Sequence, residues 1–122
     1  MVEKRNNRST GAAYEEKAAQ YLIKNGYCIR GRNVRTPLGE LDIVAEKDSV
    51  LVFCECKFRN HGACGDALEA VDRKKQRRIS HAAMYYYAGH GYGEEISCRF
   101  DVIALYGDGS LAHIENAFDY QE

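Results

Sequence analysis

The sequence predicts an α/β fold in which helices cover a mixed β-sheet, and three patterns carry that expectation. Apolar residues alternate through three successive segments between about residues 27 and 58. A helically spaced apolar pattern precedes them and a longer one follows. The chain then closes on one or two further strand-like segments, so the order reads helix, three strands, helix, strand or strands.

Residues 1–9 are polar and charged and read as a flexible arm, leaving 10–122 as a single domain. From Thr10 to Asn25, Tyr14, Ala18, Tyr21 and Leu22 recur at helical spacing, and Gly26 is a stop signal. Tyr27 to Val34 is the first strand, with Pro37 and Gly39 marking a turn. Glu40 to Glu46 alternates, with Leu41, Ile43 and Ala45 on one side. Ser49 to Phe58 is apolar on both faces, the mark of a strand central in its sheet.

Residues 59–66 hold Asn60, Gly62 and Gly65 and read as a loop. Leu68, Val71, Ile79, Ala82, Ala83 and Tyr86 predict a helix from Ala67 to about Ala88, ended by Gly89, Gly91 and Gly93. Ser97 to Tyr106 is a strand, and Asp108–Gly109 turns into a short one at Leu111–Ile114.

A chain of 122 residues suits one domain, and its 45% hydrophobic and 29% charged content excludes a disordered chain. No apolar run approaches membrane-spanning length and no signal-peptide pattern opens the chain, so the expected location is cytoplasmic. Cys28, Cys54, Cys56, Cys64 and Cys98 lack CxxC spacing and read as buried small hydrophobes rather than a disulfide or zinc framework. The net charge of −1 gives no compositional argument for nucleic acid, but the cations cluster. They lie at Lys4, Arg5 and Arg8, at Arg30, Arg32 and Arg35, and from Arg73 to Arg78.

The chemistry concentrates at the end of the central strand. Glu55 and Lys57 are two apart, so they leave one face roughly 7 Å apart along the chain. Such residues are rarely buried unless paired. With Lys47–Asp48 as the turn, Glu46 pairs with Ser49, Asp42 falls opposite Phe53 and Glu40 opposite Glu55. Asp42 and Glu55 are then diagonal neighbours about 7–8 Å apart, within reach of one ion. Two facing carboxylates repel, and hard oxygen donors with room for water suit Mg²⁺ or Mn²⁺. Such an ion polarises a phosphodiester, and Lys57 would orient the attacking water or stabilise developing charge.

The stretch Gly39-Glu40-Leu41-Asp42-Ile43-Val44-Ala45, followed by Leu51-Val52-Phe53-Cys54-Glu55-Cys56-Lys57-Phe58-Arg59, resembles the PD-(D/E)xK nuclease signature. More closely it is similar to the YraN family of endonuclease-like proteins. The resemblance runs from about Gly11 to Leu105 and takes in Glu15, Ala18-Ala19, Gly26-Tyr27, Arg32-Asn33, Ala70-Val71, Lys74-Lys75 and Arg99-Phe100-Asp101. It implies a restriction-endonuclease-like three-layer sandwich similar to Holliday-junction resolvases. It also implies a further metal-site acid from the first helix, matched by Glu15, with Glu16 as the fallback if the helix is rotated. Tyr14 replaces a common glycine of the family, and Cys54 and Cys56 replace valines.

The expectation is therefore a Mg²⁺- or Mn²⁺-dependent endonuclease with Asp42, Glu55 and Glu15 as metal ligands and Lys57 as the fourth catalytic residue. Arg59, Lys74, Lys75 and Arg78 are the candidate nucleic-acid contacts, although the basic run also fits a solvated helix face. DNA is the preferred partner, no membrane is expected, and a homodimer is implied only by the similarity to resolvases. Two other readings stay open: a catalytically silent nucleic-acid-binding module, and an interaction protein whose carboxylates form a structural network.

Overall fold

The computed structural model describes residues 2–59, 71–93 and 96–122, with side chains described from Gly11 onward. Among the described residues seven elements follow one another: α1 (Val2–Lys24), β1 (Cys28–Thr36), β2 (Gly39–Lys47), β3 (Val50–Arg59), α2 (Arg73–Gly89), β4 (Ser97–Tyr106) and β5 (Leu111–Phe118). The strands form one sheet in the order β1-β2-β3-β4-β5. Only β3 and β4 run parallel, and α2 lies in the connection between them, as a parallel pair requires.

The helix α1 begins inside the stretch read as a flexible arm. Its end follows from local chemistry. The Gly26 N–H donates to the Ile23 carbonyl at 3.1 Å and the Tyr27 N–H to the Leu22 carbonyl at 3.0 Å, with Gly26 at φ 89°. This is the paired-bond terminator that a left-handed glycine permits. The helix α2 starts at Arg73 rather than Ala67, because the Asp72 carboxylate accepts from the Lys75 N–H at 2.8 Å and caps it. Residues 67–70 of the expected helix, and the loop with His61 and Cys64, lie outside the described residues. The last strand extends to Phe118, past the expected end at Ile114.

Apolar side chains leave the sheet on both faces, so β3 is central as its composition implies. Ala18, Ala19 and Leu22 of α1 pack with Ile43, Ala45, Val52, Cys54, Ile103 and Leu105. Ile79, Ala82, Ala83 and Tyr86 of α2 pack with Leu51, Phe53, Phe100, Val102 and Ala104. Each fully buried large side chain of this kind contributes about 1.5–3 kcal/mol. The result is an open α/β sandwich, helix layer on sheet on helix layer, consistent with a restriction-endonuclease-like fold.

The β2–β3 hairpin corrects the expected register. Lys47 pairs with Val50, so the turn is Asp48–Ser49 rather than Lys47–Asp48. Both turn residues take positive φ, 52° and 62°, the conformation of a two-residue turn whose twist matches its strands. The register moves by an even number of residues, Val44 facing Phe53 and Ile43 facing Cys54. An even slip changes partners and preserves faces. Leu41 is a second correction: it packs in the α2-side core, while Ile43 and Ala45 pack on the α1 side. The alternation of β2 breaks beside Asp42.

A buried polar network ties β4 to β5 and α1. Asp101, fully buried, receives two hydrogen bonds from Arg99 (2.8 and 2.9 Å) and one from the Asn116 backbone N–H (3.0 Å). His113 Nε2 lies 2.7 Å from the same carboxylate, and its Nδ1 lies 2.9 Å from the Tyr21 hydroxyl. Arg99 also reaches the Tyr27 hydroxyl at 2.8 Å. Burial opposes the Asp101 charge, but the bonds from His113, Arg99 and Asn116 outweigh it and hold the carboxyl below its ordinary value.

Because the folded value lies below the unfolded one, the stabilisation from Asp101 is complete above about pH 4 and fades as pH falls through the folded value. Asp101→Ala should lower stability by about 3 kcal/mol or more in urea unfolding at pH 7, with the deficit shrinking at acid pH. Equal midpoints at pH 7 would show that the network contributes nothing.

Candidate functional site

Asp42 and Glu55 meet where the β2–β3 ladder stops. Paired residues end at Ile43 and Cys54, and continuing that register puts Asp42 directly opposite Glu55 instead of diagonal to it. The Asp42 carboxylate fills the place of the missing ladder bond, accepting from the Cys56 N–H at 2.9 Å. This is why β2 changes its facing beside Asp42: the side chain turns toward the partner strand. Glu55 is only 6% exposed, on the α2 side of β3 beyond Leu51 and Phe53.

Two ammonium groups answer the Glu55 charge. Lys75 Nζ, from the first turn of α2, lies 3.0 Å from Glu55 Oε1, and Lys57 Nζ lies 3.7 Å from the same oxygen. Asp42 is pushed up to about 6 by burial and then by the Glu55 charge, with the Cys56 N–H and the two lysines opposing. Lys57 is lowered by burial and by Lys75 beside it. Burial also works against the Lys75 charge, but its contacts with Lys57 and Glu55 prevail and its value rises. One carboxylate partly deterred from ionising, beside one amine deterred from protonating, is the kind of environment that accompanies proton and cation chemistry.

Asp42, Glu55 and Lys75 border a cavity of about 230 Å³, lined also by Glu40, Arg78 and Ile79. The glycine of the strand motif has a packing role here. A Cβ on Gly39 would come within 2.8 Å of the Arg78 side chain, so glycine lets the start of β2 lie against α2 and brings Arg78 to the rim.

Glu15 stands apart from the pair. Half-buried, it borders a neighbouring cavity with Gly11, Ala12, Arg32 and Asn33. Its carboxyl is raised by burial and then by the Asp42 charge, against an Asn33 hydrogen bond and the Arg32 charge. Glu15 therefore feels Asp42, but among the described residues no three His, Cys, Asp or Glu side chains converge on one point. Glu16, the fallback, is exposed and bound to Arg32 at 2.9 Å, so the helix phase favours Glu15.

The basic candidates divide. Lys75 points into the acid pair, Arg78 borders its cavity, Lys74 is exposed on the same helix, and Arg59 ends β3 with its carbonyl accepting from the Gly107 N–H at 2.9 Å. Helical geometry turns adjacent residues by about 100°, which separates Lys74 from Lys75. Lys75, expected among the phosphate contacts, and Glu40, outside the expected site, both line the cavity. The signal for Lys75 was its cap, Asp72 three residues before it, which fixes where the first turn of α2 begins. Cys54 and Cys56 pack on the α1 side, and burial pushes both thiols well up, whereas Cys28 and Cys98 are exposed, against the expectation of buried cysteines. Tyr86 is core while Tyr85 is exposed, and His81 lies 2.7 Å from the Glu122 carbonyl oxygen.

An open α/β sandwich that sets an acid pair and a lysine at the end of its central strand is consistent with the restriction-endonuclease-like class. The chain belongs to the Uncharacterised protein family UPF0102, the YraN family, whose profile matches residues 14–105. A UPF0102 protein of Lachnoclostridium phytofermentans is 42% identical over 114 residues, covering 93% of this chain and 96% of that one. One from Pectobacterium carotovorum is 39% identical over 117 residues, covering 95% and 98%. One from Azorhizobium caulinodans is 40% identical over 111 residues, covering 91% and 83%. The matched span contains Glu15, Asp42, Glu55, Lys57 and Lys75.

The raised Asp42 value carries a stability consequence. A carboxyl whose folded value exceeds its unfolded one favours folding while protonated and loses that benefit as pH rises through about 6. In the presence of chelator at pH 7.5, Asp42→Asn should therefore raise stability by about 1–2 kcal/mol, since the amide oxygen can still accept from the Cys56 N–H. Thermal unfolding reads the difference, and a lower midpoint for the variant would contradict the electrostatic account.

Proposed function

We propose that this protein is a Mg²⁺- or Mn²⁺-dependent nuclease that hydrolyses phosphodiester bonds in nucleic acid, DNA for preference, in the cytoplasm. The observation that carries the reading is the placement of Asp42 opposite Glu55 with Lys57 two residues further along β3. Two hard carboxylates repelling one another are a donor set suited to a divalent cation, and family membership agrees with the nuclease-like frame.

In this reading Asp42 and Glu55 hold the ion. Glu15, which shares the Asp42 field from an adjoining cavity, acts on it from further out. A bound ion of this class supplies Lewis acidity toward the phosphate and a water acidified toward neutrality. Lys57, lowered by burial, positions the attacking water and takes up or releases a proton at Nζ. Arg78 on the cavity rim and Lys74 on the exposed face of α2 track the phosphate backbone, and Arg59 at the end of β3 is a further candidate contact. No helix among the described residues is long and apolar enough to cross a membrane.

The test is a Mn²⁺ and Mg²⁺ titration by calorimetry, followed by incubation with branched, duplex and single-stranded DNA. Asp42→Ala and Glu55→Ala should abolish both metal binding and cleavage. Lys57→Met should keep metal binding and lose about 100-fold or more in cleavage rate. Metal-independent DNA affinity with a steep salt slope, lost in Arg78→Ala and retained in Asp42→Ala, would replace the nuclease by a silent binding module.

A further inference from the structure

The geometry points to Lys75 as an internal cation that competes with divalent metal for Glu55, so that metal entry is an exchange of ammonium for ion. The inference rests on the metal-site reading above and deepens it, because it makes a residue of α2 the determinant of metal affinity.

Glu55 is 6% exposed, and a carboxylate at that depth is costly unless paired. Lys75 is its nearer partner, at 3.0 Å against 3.7 Å for Lys57. The two cations differ in how they are held. Lys57 stands on the same strand as Glu55, two residues on, and its backbone keeps it beside the acid. Lys75 arrives from another layer, with its backbone fixed by the bond from its own N–H to Asp72 and by the neighbouring Gln76 side chain, whose Nε2 donates to the Val71 carbonyl at 2.9 Å. Its four-carbon stem is 36% exposed and borders the same cavity as both acids. The ammonium can therefore leave Glu55 by rotation of the stem, without unfolding anything.

The Asp42 carboxylate accepts the Cys56 N–H and feels Lys75 only through its field, so the ammonium is in direct contact with one acid of the pair. A divalent ion between the two strands would answer both, which is why it would displace the ammonium once its concentration is sufficient. The displaced Nζ remains in a cavity shared with Arg78, where a phosphate oxygen is its natural partner.

Mn²⁺ titration by calorimetry of wild type, Lys75→Met and Lys74→Met tests this directly. Methionine keeps an unbranched apolar stem and removes the charge, and Lys74 supplies the same charge change on the exposed face of α2. Lys75→Met should bind Mn²⁺ about ten-fold more tightly, with Lys74→Met within about two-fold of wild type. Unfolding gives a second readout. Lys75→Met should melt lower than wild type in chelator and gain more on adding Mn²⁺.

Equal affinity in wild type and Lys75→Met would overturn the exchange while leaving the metal site standing. Equal tightening in both lysine variants would also overturn it, since a general field would then explain the effect. Weaker binding in Lys75→Met would cast Lys75 as a support of the site and likewise overturn it. If none of the three proteins binds Mn²⁺, the metal-site reading fails and the exchange fails with it.

Discussion

Two carboxylates confront each other across the step between β2 and β3, and much of the molecule is arranged around that repulsion. Asp42 stands opposite Glu55 at the point where the backbone ladder ends, and it replaces the ladder bond with one from the Cys56 N–H. Burial, and then the like charge of Glu55, raise Asp42 to about 6, a cost the fold carries at its own core edge. Leu41 abandons the facing of Ile43 and Ala45 there, Gly39 gives up a side chain so that α2 can approach, and α2 is capped at Asp72 so that Lys75 arrives over Glu55. Local rules broken together at one place mark a site shaped by something other than stability.

The Asp101 network shows what the same sheet does when a buried carboxylate is purely structural. Asp101 is more deeply buried than Glu55, yet it is met by Arg99, His113 and the Asn116 N–H, and its carboxyl is held low where that of Asp42 is raised. The irregular register between β4 and β5 and the positive φ of Asn116, 51°, accompany the donor N–H. One acid is fully answered and stabilises the fold; the acid pair on the other side of the sheet is incompletely answered and leaves room for a cation. This contrast, rather than the presence of acids as such, separates the candidate site from the rest of the protein.

Family membership and fold class narrow the chemistry without choosing it, because one scaffold hosts many activities. The acid pair and the two lysines are the features on which the proposed phosphodiester chemistry rests. Glu15 illustrates the distinction between field and coordination. It senses the Asp42 charge from α1, yet it borders its own cavity with Arg32 and Asn33.

The layer order, the central position of β3 and the faces of Glu55 and Lys57 were legible in the sequence. They depend on apolar periods of two and of about three and a half residues, and such periods are local properties of the chain. The hairpin register was not, because it hinged on whether Lys47–Asp48 or Asp48–Ser49 made the turn, and residues of all three kinds tolerate turns. The face of Asp42 survived that error only because the slip was even. The place of Lys75 was decided in space: a basic run reads as a solvated face until the packing of Ile79, Ala82 and Ala83 against the sheet sets the rotation of the helix. The Asp101 network was likewise hidden, since Tyr21 lies 92 residues from His113 and Tyr27 lies 72 from Arg99, and only the packing of α1 on the sheet brings them together. Sequence alone determined which residues could form the elements and which acids could share a face. Tertiary structure decided which charges meet, because Coulomb energies depend on distances of a few ångströms between segments that the chain order leaves free.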